Sequence, residues 1–118
     1  MMVVESLNRT ESLGDLTHIY IYRAIKGHIT ISANDEKITV QTYGIEIERQ
    51  DFVNGMMINI ERDCVDNISP QRYKVHNLLR MLYERGVSPL HLVDVLGEYV
   101  DTYIVDYDLY VNDVATIN

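Results

Sequence analysis

Four carboxylates flank an Asn54-Gly55 pair, the strongest short-range hairpin signal in the chain. A two-residue loop would pair Val53 with Met56, and a four-residue loop would pair Asp51 with Met56. Either register puts Ile45, Ile47, Ile58 and Ile60 on one face and Glu46, Glu48, Glu61 and Asp63 on the other. Like charges facing each other across strands destabilise by up to about 1 kcal/mol per pair. A divalent cation held by oxygen ligands would relieve that repulsion, and a metal-dependent enzyme could be built on such a face. The bland reading is a solvated acidic face, or one neutralised by arginines. No Asp-rich loop of calcium-binding spacing accompanies the four residues.

The second constellation is basic. Arg72, His76 and Arg80 recur every four residues, which on a helix makes one stripe. Asp94, Glu98 and Asp101 make an acidic stripe on the next segment. If the two segments pack antiparallel about Val87, Arg80 nears Asp94 and His76 nears Glu98. Such exposed pairs contribute about 0–1 kcal/mol each. The competing reading is a surface that meets an acidic partner. Two helices joined through Gly86-Val87-Ser88 also have helix-turn-helix spacing. The second helix, however, would offer carboxylates to the phosphates and no Arg or Lys to base edges, so nucleic-acid binding is the weaker alternative.

The remaining chemistry is sparse. His18, His28, His76, His91 and Cys64 form neither a two-His helical pair nor a Cys-x-x-Cys, and no nucleophile elbow, Walker loop or dinucleotide fingerprint is present. No catalytic residue and no cofactor is indicated. Tyrosine stands out, with nine Tyr beside one Phe and no Trp. The C-terminal set, Tyr99 to Tyr110, lies in an acidic stretch, and tyrosine suits interfaces because one ring combines apolar area with a polar handle. Tyr103, Tyr107, Leu109, Tyr110 and Val111, with Arg72, His76 and Arg80, are therefore the candidate interaction residues.

The elements that must position these residues divide into two halves. Apolar and β-branched alternation runs from residue 17 to residue 64. Lys26-Gly27 separates HIYIYRAI from HITIS, Asn34-Asp35 is a turn, and the parity of the apolar residues flips at Tyr43-Gly44, which predicts a bulge or bend there. If Lys26-Gly27 closes a turn, Tyr20, Tyr22 and Ala24 share a face with Ile29, Ile31, Ala33, Ile38, Val40 and Thr42. Ser69-Pro70 and Ser88-Pro89 each start a helix. Val75, Leu78, Leu79 and Leu82 form the first apolar stripe, and Leu90, Val93, Leu96, Val100 and Ile104 or Tyr103 the second. Residues 105–118 read as a tail or edge strand because Val105, Tyr107, Leu109 and Val111 alternate with polar positions, with a helix end as the alternative.

The expectation is one α+β domain over residues 1–118. It has an N-terminal arm (1–16), an antiparallel β-meander of four or five strands (17–64), a two-helix pair packed on the sheet (69–104) and the tail. Val75, Leu78, Leu79, Leu82, Val93, Leu96 and Val100 are the expected core of the helical half.

Tyr43-Gly44-Ile45-Glu46-Ile47-Glu48 and the block from Ile68 to Asp101 resemble a family of small uncharacterised clostridial proteins. The resemblance implies a bacterial cytoplasmic setting and carries over no functional residue. Composition agrees with a soluble globular protein: 47% hydrophobic and 24% charged, with no apolar run near membrane-spanning length and no signal-peptide pattern. One cysteine rules out an internal disulfide. Ten Lys plus Arg against 18 Asp plus Glu give a net charge of −8, which disfavours nucleic acid and anionic membranes. The reading is a non-enzymatic protein-binding or regulatory module of the cytoplasm, with an unknown protein partner or a second copy of itself. The segment from Tyr103 to Val111 would dock on its own sheet or on that partner, with Asp106 and Asp108 facing solvent or a basic surface.

Overall fold

Alternating apolar and polar residues, punctuated by two-residue turns, build a meander in which each strand pairs with the next. The computed structural model describes residues 2–117, with side chains through residue 112. Strands β1 (Met2–Leu13), β2 (Leu16–Ala33), β3 (Glu36–Val53) and β4 (Met56–Ser69) form one antiparallel sheet in sequence order. Helix α1 (Arg72–Arg85), a 3-10 turn (Pro89–His91), α2 (Leu92–Tyr103) and α3 (Val105–Ile117) follow. The expected α+β architecture is therefore present. The arm expected at 1–16 is a strand for most of its length, and the meander continues to Ser69.

Asn54-Gly55 closes its hairpin with two residues, pairing Val53 with Met56. The backbone φ angles of 50° and 80° at these residues match the mirror-image turn that suits strand twist. Asn34 and Asp35, at φ 52° and 64°, make the same kind of turn between β2 and β3. Two turns thus lie at one end of the sheet and the Asn34-Asp35 turn at the other.

β2 is not broken at Lys26-Gly27. It pairs with β3 without interruption from Leu16–Val53 to Ala33–Glu36. Tyr20, Tyr22 and Ala24 therefore project from the opposite side of the strand to Ile29, Ile31 and Ala33, and the single apolar face expected across them does not exist. The parity flip has a different origin: the sheet buries one side along one half of its length and the other side along the other half. The irregularity at Tyr43-Gly44 lies between β3 and β4. Tyr43 meets Ser69 and Ile45 meets Val65, so β4 bulges over Gly44. A Cβ on Gly44 would lie 2.4 Å from the Val65 carbonyl oxygen and 2.9 Å from Asp66 Cα, so only glycine lets the bulge close.

Helices α1 and α2 cover the first half. Val75, Leu78, Leu79, Leu82, Leu92 and Leu96 pack on Tyr20, Tyr22, Ala24, Tyr43, Ile45 and Ile47. The Tyr22 hydroxyl donates to the Val87 carbonyl at 2.9 Å, tying the sheet to the interhelical loop. The second apolar stripe is shifted from expectation. Pro89–His91 forms a 3-10 turn, so the α-helix starts at Leu92 in a different phase. Leu92 and Leu96 face the core, Val100 is half-buried, and Leu90 and Val93 are 74% and 54% exposed.

Beyond Lys26 and Tyr43 the β2–β3 hairpin projects past its neighbours as a two-stranded ribbon. Such a ribbon is marginal in water by itself. The C-terminal segment supplies the cover, as a helix and not a strand. Tyr107 and Val111, one turn apart on α3, pack on Val40 with Ile29, Ile31, Ala33 and Ile38. Among the described residues no helix is long and apolar enough to cross a membrane.

Candidate interaction surface

The acidic constellation is taken apart by a second bulge. Phe52 pairs with Met57 but Asp51 pairs with Asn59, so Ile58 is an extra residue in β4. Past it, Ile60 pairs with Gln50 and Arg62 with Glu48. Glu46 and Glu48 therefore lie on the side away from α1 and α2, and Glu61 and Asp63 lie on the helix-covered side. The four carboxylates do not share a face. Ile58 and Ile60 likewise do not join Ile45 and Ile47 in the core and are exposed.

The carboxylates are instead absorbed by arginines. Arg23 donates to Glu46 at 2.7 Å and to Glu48 at 3.3 Å, while Arg62 and Gln50 each reach Glu48 at 2.7 Å. Burial pushes the Glu48 carboxyl up, but the donors from Gln50, Arg62 and Arg23 outweigh it and hold the carboxyl below its ordinary range. A parallel arrangement surrounds Asp51 on the other side of the sheet. Burial opposes its charge, and hydrogen bonds with Arg49, His18 and Asn59 overcome that and lower its pKa. Among the described residues no cluster of three metal-capable side chains occurs. Cys64, half-buried beside Asp66, has its thiol pushed up to about 12 by burial and by that neighbouring carboxylate.

The basic stripe is also largely used inside the molecule. His76 lies 2.9 Å from Glu5 and Arg72 lies 3.6 Å from the same carboxylate, so α1 is tied to β1. The expected match of Arg80 with Asp94 and of His76 with Glu98 is not formed; His76 takes Glu5 of β1 instead. Arg80 is exposed and lines a shallow cleft with Glu5, Ser6, Leu7, His76 and Leu79.

The C-terminal candidates separate into two groups. Tyr107 and Val111 are buried against the ribbon, and the Tyr107 hydroxyl donates to the Asn67 carbonyl at 2.6 Å. Tyr103 is half-buried, with the Lys74 ammonium 4.9 Å from its ring centre. Asp106, expected at the surface, is 4% exposed. It receives Lys74 at 2.8 Å and the Ser69 hydroxyl at 3.0 Å, a polar pin where α3 begins. Lys74 is raised above its ordinary pKa mainly by that hydrogen bond. Leu109 and Tyr110 remain exposed, with Ile104, Val105 and Asp108.

The sequence model of a family of unknown function, DUF6514, matches residues 1–102, from β1 into α2. The chain belongs to that family. No curated protein and no solved structure matches it. The DUF6514 portion contains the whole sheet, α1 and nearly all of α2, and α3 follows it.

One surface was not anticipated in the sequence reading. β4 is an outer strand of the sheet, and Met56, Met57, Ile58 and Ile60 along it are all exposed. Leu90 stands beside it, lining a cleft with Ile60, Glu61, Arg62, Asp63 and Pro89. Its signal is the run MMINI; the bulge at Ile58 is what keeps Ile60 off the face it would otherwise share with Ile45 and Ile47.

Proposed function

We propose that this DUF6514 protein is a non-enzymatic, cytoplasmic protein-binding module whose α3 presents an acidic, apolar surface to a basic segment of another protein. The observation that carries this reading is that α3 is apolar on two opposite sides. Residues two apart on a helix point in roughly opposite directions, at about 100° per residue. Tyr107 and Val111 hold α3 to its own ribbon, while Val105 and Leu109 face outward at 50% and 56% exposure. A helix that only closed its own domain would carry polar residues there. Asp101 and Asp108 flank this stripe, and both are exposed. Asp94 and Glu98 extend the acidic surface along α2, which weighs against nucleic acid as the ligand.

The test is affinity capture from native lysate on the immobilised full chain, followed by titration of the captured partner. Leu109→Glu is expected to lose a partner that the parent chain retains. Asp108→Lys is expected to weaken binding and flatten its salt dependence. Identical partners and affinities for both variants and the parent would refute the assignment.

A further inference from the structure

The free edge of β4 carries a second inference, independent of α3. We propose that two copies of this chain associate through antiparallel pairing of β4 with β4, about a two-fold axis near Asn59, joining two four-stranded sheets into one of eight strands.

An outer strand offers unpaired backbone N–H and C=O groups, and proteins commonly blunt such edges with charge, proline or bulges. The two outer strands differ in this respect. β1 carries Glu5, Arg9 and Glu11, all held in ion pairs. β4 carries no charge and no proline from Met56 to Ile60, and its exposed side chains there are apolar except for Asn59; each outer strand has one bulge, at Ile58 in β4 and near Val4 in β1, so the difference between them is charge. A partner using β1 against β4 would leave an open edge on each copy and build a filament. Pairing β4 with β4 closes on itself and leaves two β1 edges protected by charge.

Charge narrows both the occupant and the register. The molecule carries −8, so an edge meant for a basic peptide would be bordered by spare carboxylates. Of the charges bordering this one, Glu61 and Arg62 are matched within the chain, and Asp63 accepts the Cys64 backbone N–H. Glu61 lies 3.4 Å from Arg49, and Arg62 lies 2.7 Å from Glu48. With the axis at Asn59, the apolar run Met56–Ile58 lies along residues 60–62 of the partner, the bulge at Ile58 offsetting the match by up to one residue. No like charges fall opposite or diagonal to one another. Moving the axis to Glu61 sets that carboxylate against its own copy, and moving it to Arg62 sets Glu61 against Asp63, both of which are unfavourable.

Leu90 supplies an independent geometric point. The cleft it shares with Pro89 and residues 60–63 holds about 370 Å³. Four consecutive strand residues of both faces line it, so it opens on the free edge of β4. In the Asn59-centred register the partner's Met56 and Met57 arrive along residues 60–62, at this cleft. Methionine adapts to such an irregular gap, where Ile60, Pro89 and Leu90 supply the apolar part of the lining. The exposure of Leu90, Met56 and Met57 is thereby accounted for together.

The full chain is examined by light scattering and sedimentation across a micromolar range. The expected mass is that of a dimer, and Ile58→Lys with Ile60→Lys should halve it while leaving the circular-dichroism spectrum unchanged. Leu109→Glu should leave the dimer intact, which separates this inference from the α3 reading. In a Cys64→Ser background, Asn59→Cys should give a covalent dimer on mild oxidation, because residues paired across a two-fold lie within disulfide range. Leu13→Cys, at the β1 edge, should give none. Should the double lysine variant fail to fold, the Asn59→Cys cross-link decides. A monomer at every concentration, or a dimer that Asn59→Cys does not cross-link, overturns the proposal.

Discussion

Replacing Gly44 with alanine tests the view that β4 closes over β3 only because a side chain is missing there. The added methyl would sit 2.4 Å from the Val65 carbonyl oxygen, 2.9 Å from Asp66 Cα and 3.3 Å from Asn67 N. All three atoms are backbone, so no flexible side-chain tip can yield. Relief requires β4 to move by nearly an ångström at the bulge. Ile68 and Ser69, which follow it, are fully buried, and Ser69 holds Asp106. Overpacking a well-packed site costs typically 1–3 kcal/mol, and a purely backbone obstruction belongs at the upper end, about 3 kcal/mol. Urea unfolding followed by circular dichroism should show the midpoint lowered by about 1–3 M, given a slope of roughly 1–3 kcal/mol/M for a domain of this size. Gly97→Ala is the matched control. It lies within α2, and nothing stands within 4 Å of its added Cβ. That substitution should raise stability by about 0.5–1 kcal/mol through helix propensity. A Gly44→Ala protein within about 0.5 kcal/mol of the parent, the range of an ordinary surface change, would refute the packing argument.

Two further outcomes follow from ionisable groups. Cys64, its thiol pushed up to about 12, should react with a maleimide or disulfide reagent far more slowly at pH 8 in the folded chain than in urea; equal rates would contradict the burial and carboxylate effects assigned to it. Glu48 and Asp51 are held below their ordinary values of 4.5 and 3.8, so their stabilisation is fully present above those values and is lost as pH falls through the lower folded ones. Thermal melts between pH 6 and pH 2 should therefore show stability falling below about pH 5, and Glu48→Gln should flatten part of that fall.

The sequence made some features plain because one residue sufficed to specify them. Asn54-Gly55 dictated its own turn, and the Val75, Leu78, Leu79, Leu82 stripe could be helical in only one phase. What stayed hidden depended on relations between strands. A single extra residue at Ile58 moved Ile60 and Arg62 to the side of Glu48 and left Glu61 and Asp63 on the other, which no period-two pattern can reveal. The break read at Lys26-Gly27 arose because a strand that changes its buried side looks, in sequence, like two strands. In the helical half, Pro89 has the fixed φ that suits the first turn of an α-helix. It opens a 3-10 turn instead, which puts Leu92 in the core in place of Leu90 and Val93, while Leu96 is buried as its spacing predicts. Asp106 gave no local sign of burial, since its partners Lys74 and Ser69 are distant in the chain. The interaction surfaces were legible in part. The tail was marked by its excess of apolar residues, whereas the β4 edge was concealed by the bulge at Ile58.

The change of buried side along β2 gives the molecule two structural compartments strung on the same pair of strands. One is a broad core under α1 and α2, and the other is a slender one under α3. The slender compartment rests on few side chains, the polar pin at Asp106 and the Tyr107 hydroxyl on the Asn67 carbonyl. It can open as a unit by releasing α3 and fraying the ribbon, while the four-stranded region and its two helices stay closed. Any event that engages the outward side of α3 would then act on the more thinly packed of the two compartments. An inserted charge near Asp106 would unseat Lys74 of α1 and Ser69 of β4 and so loosen the seam where the two compartments meet.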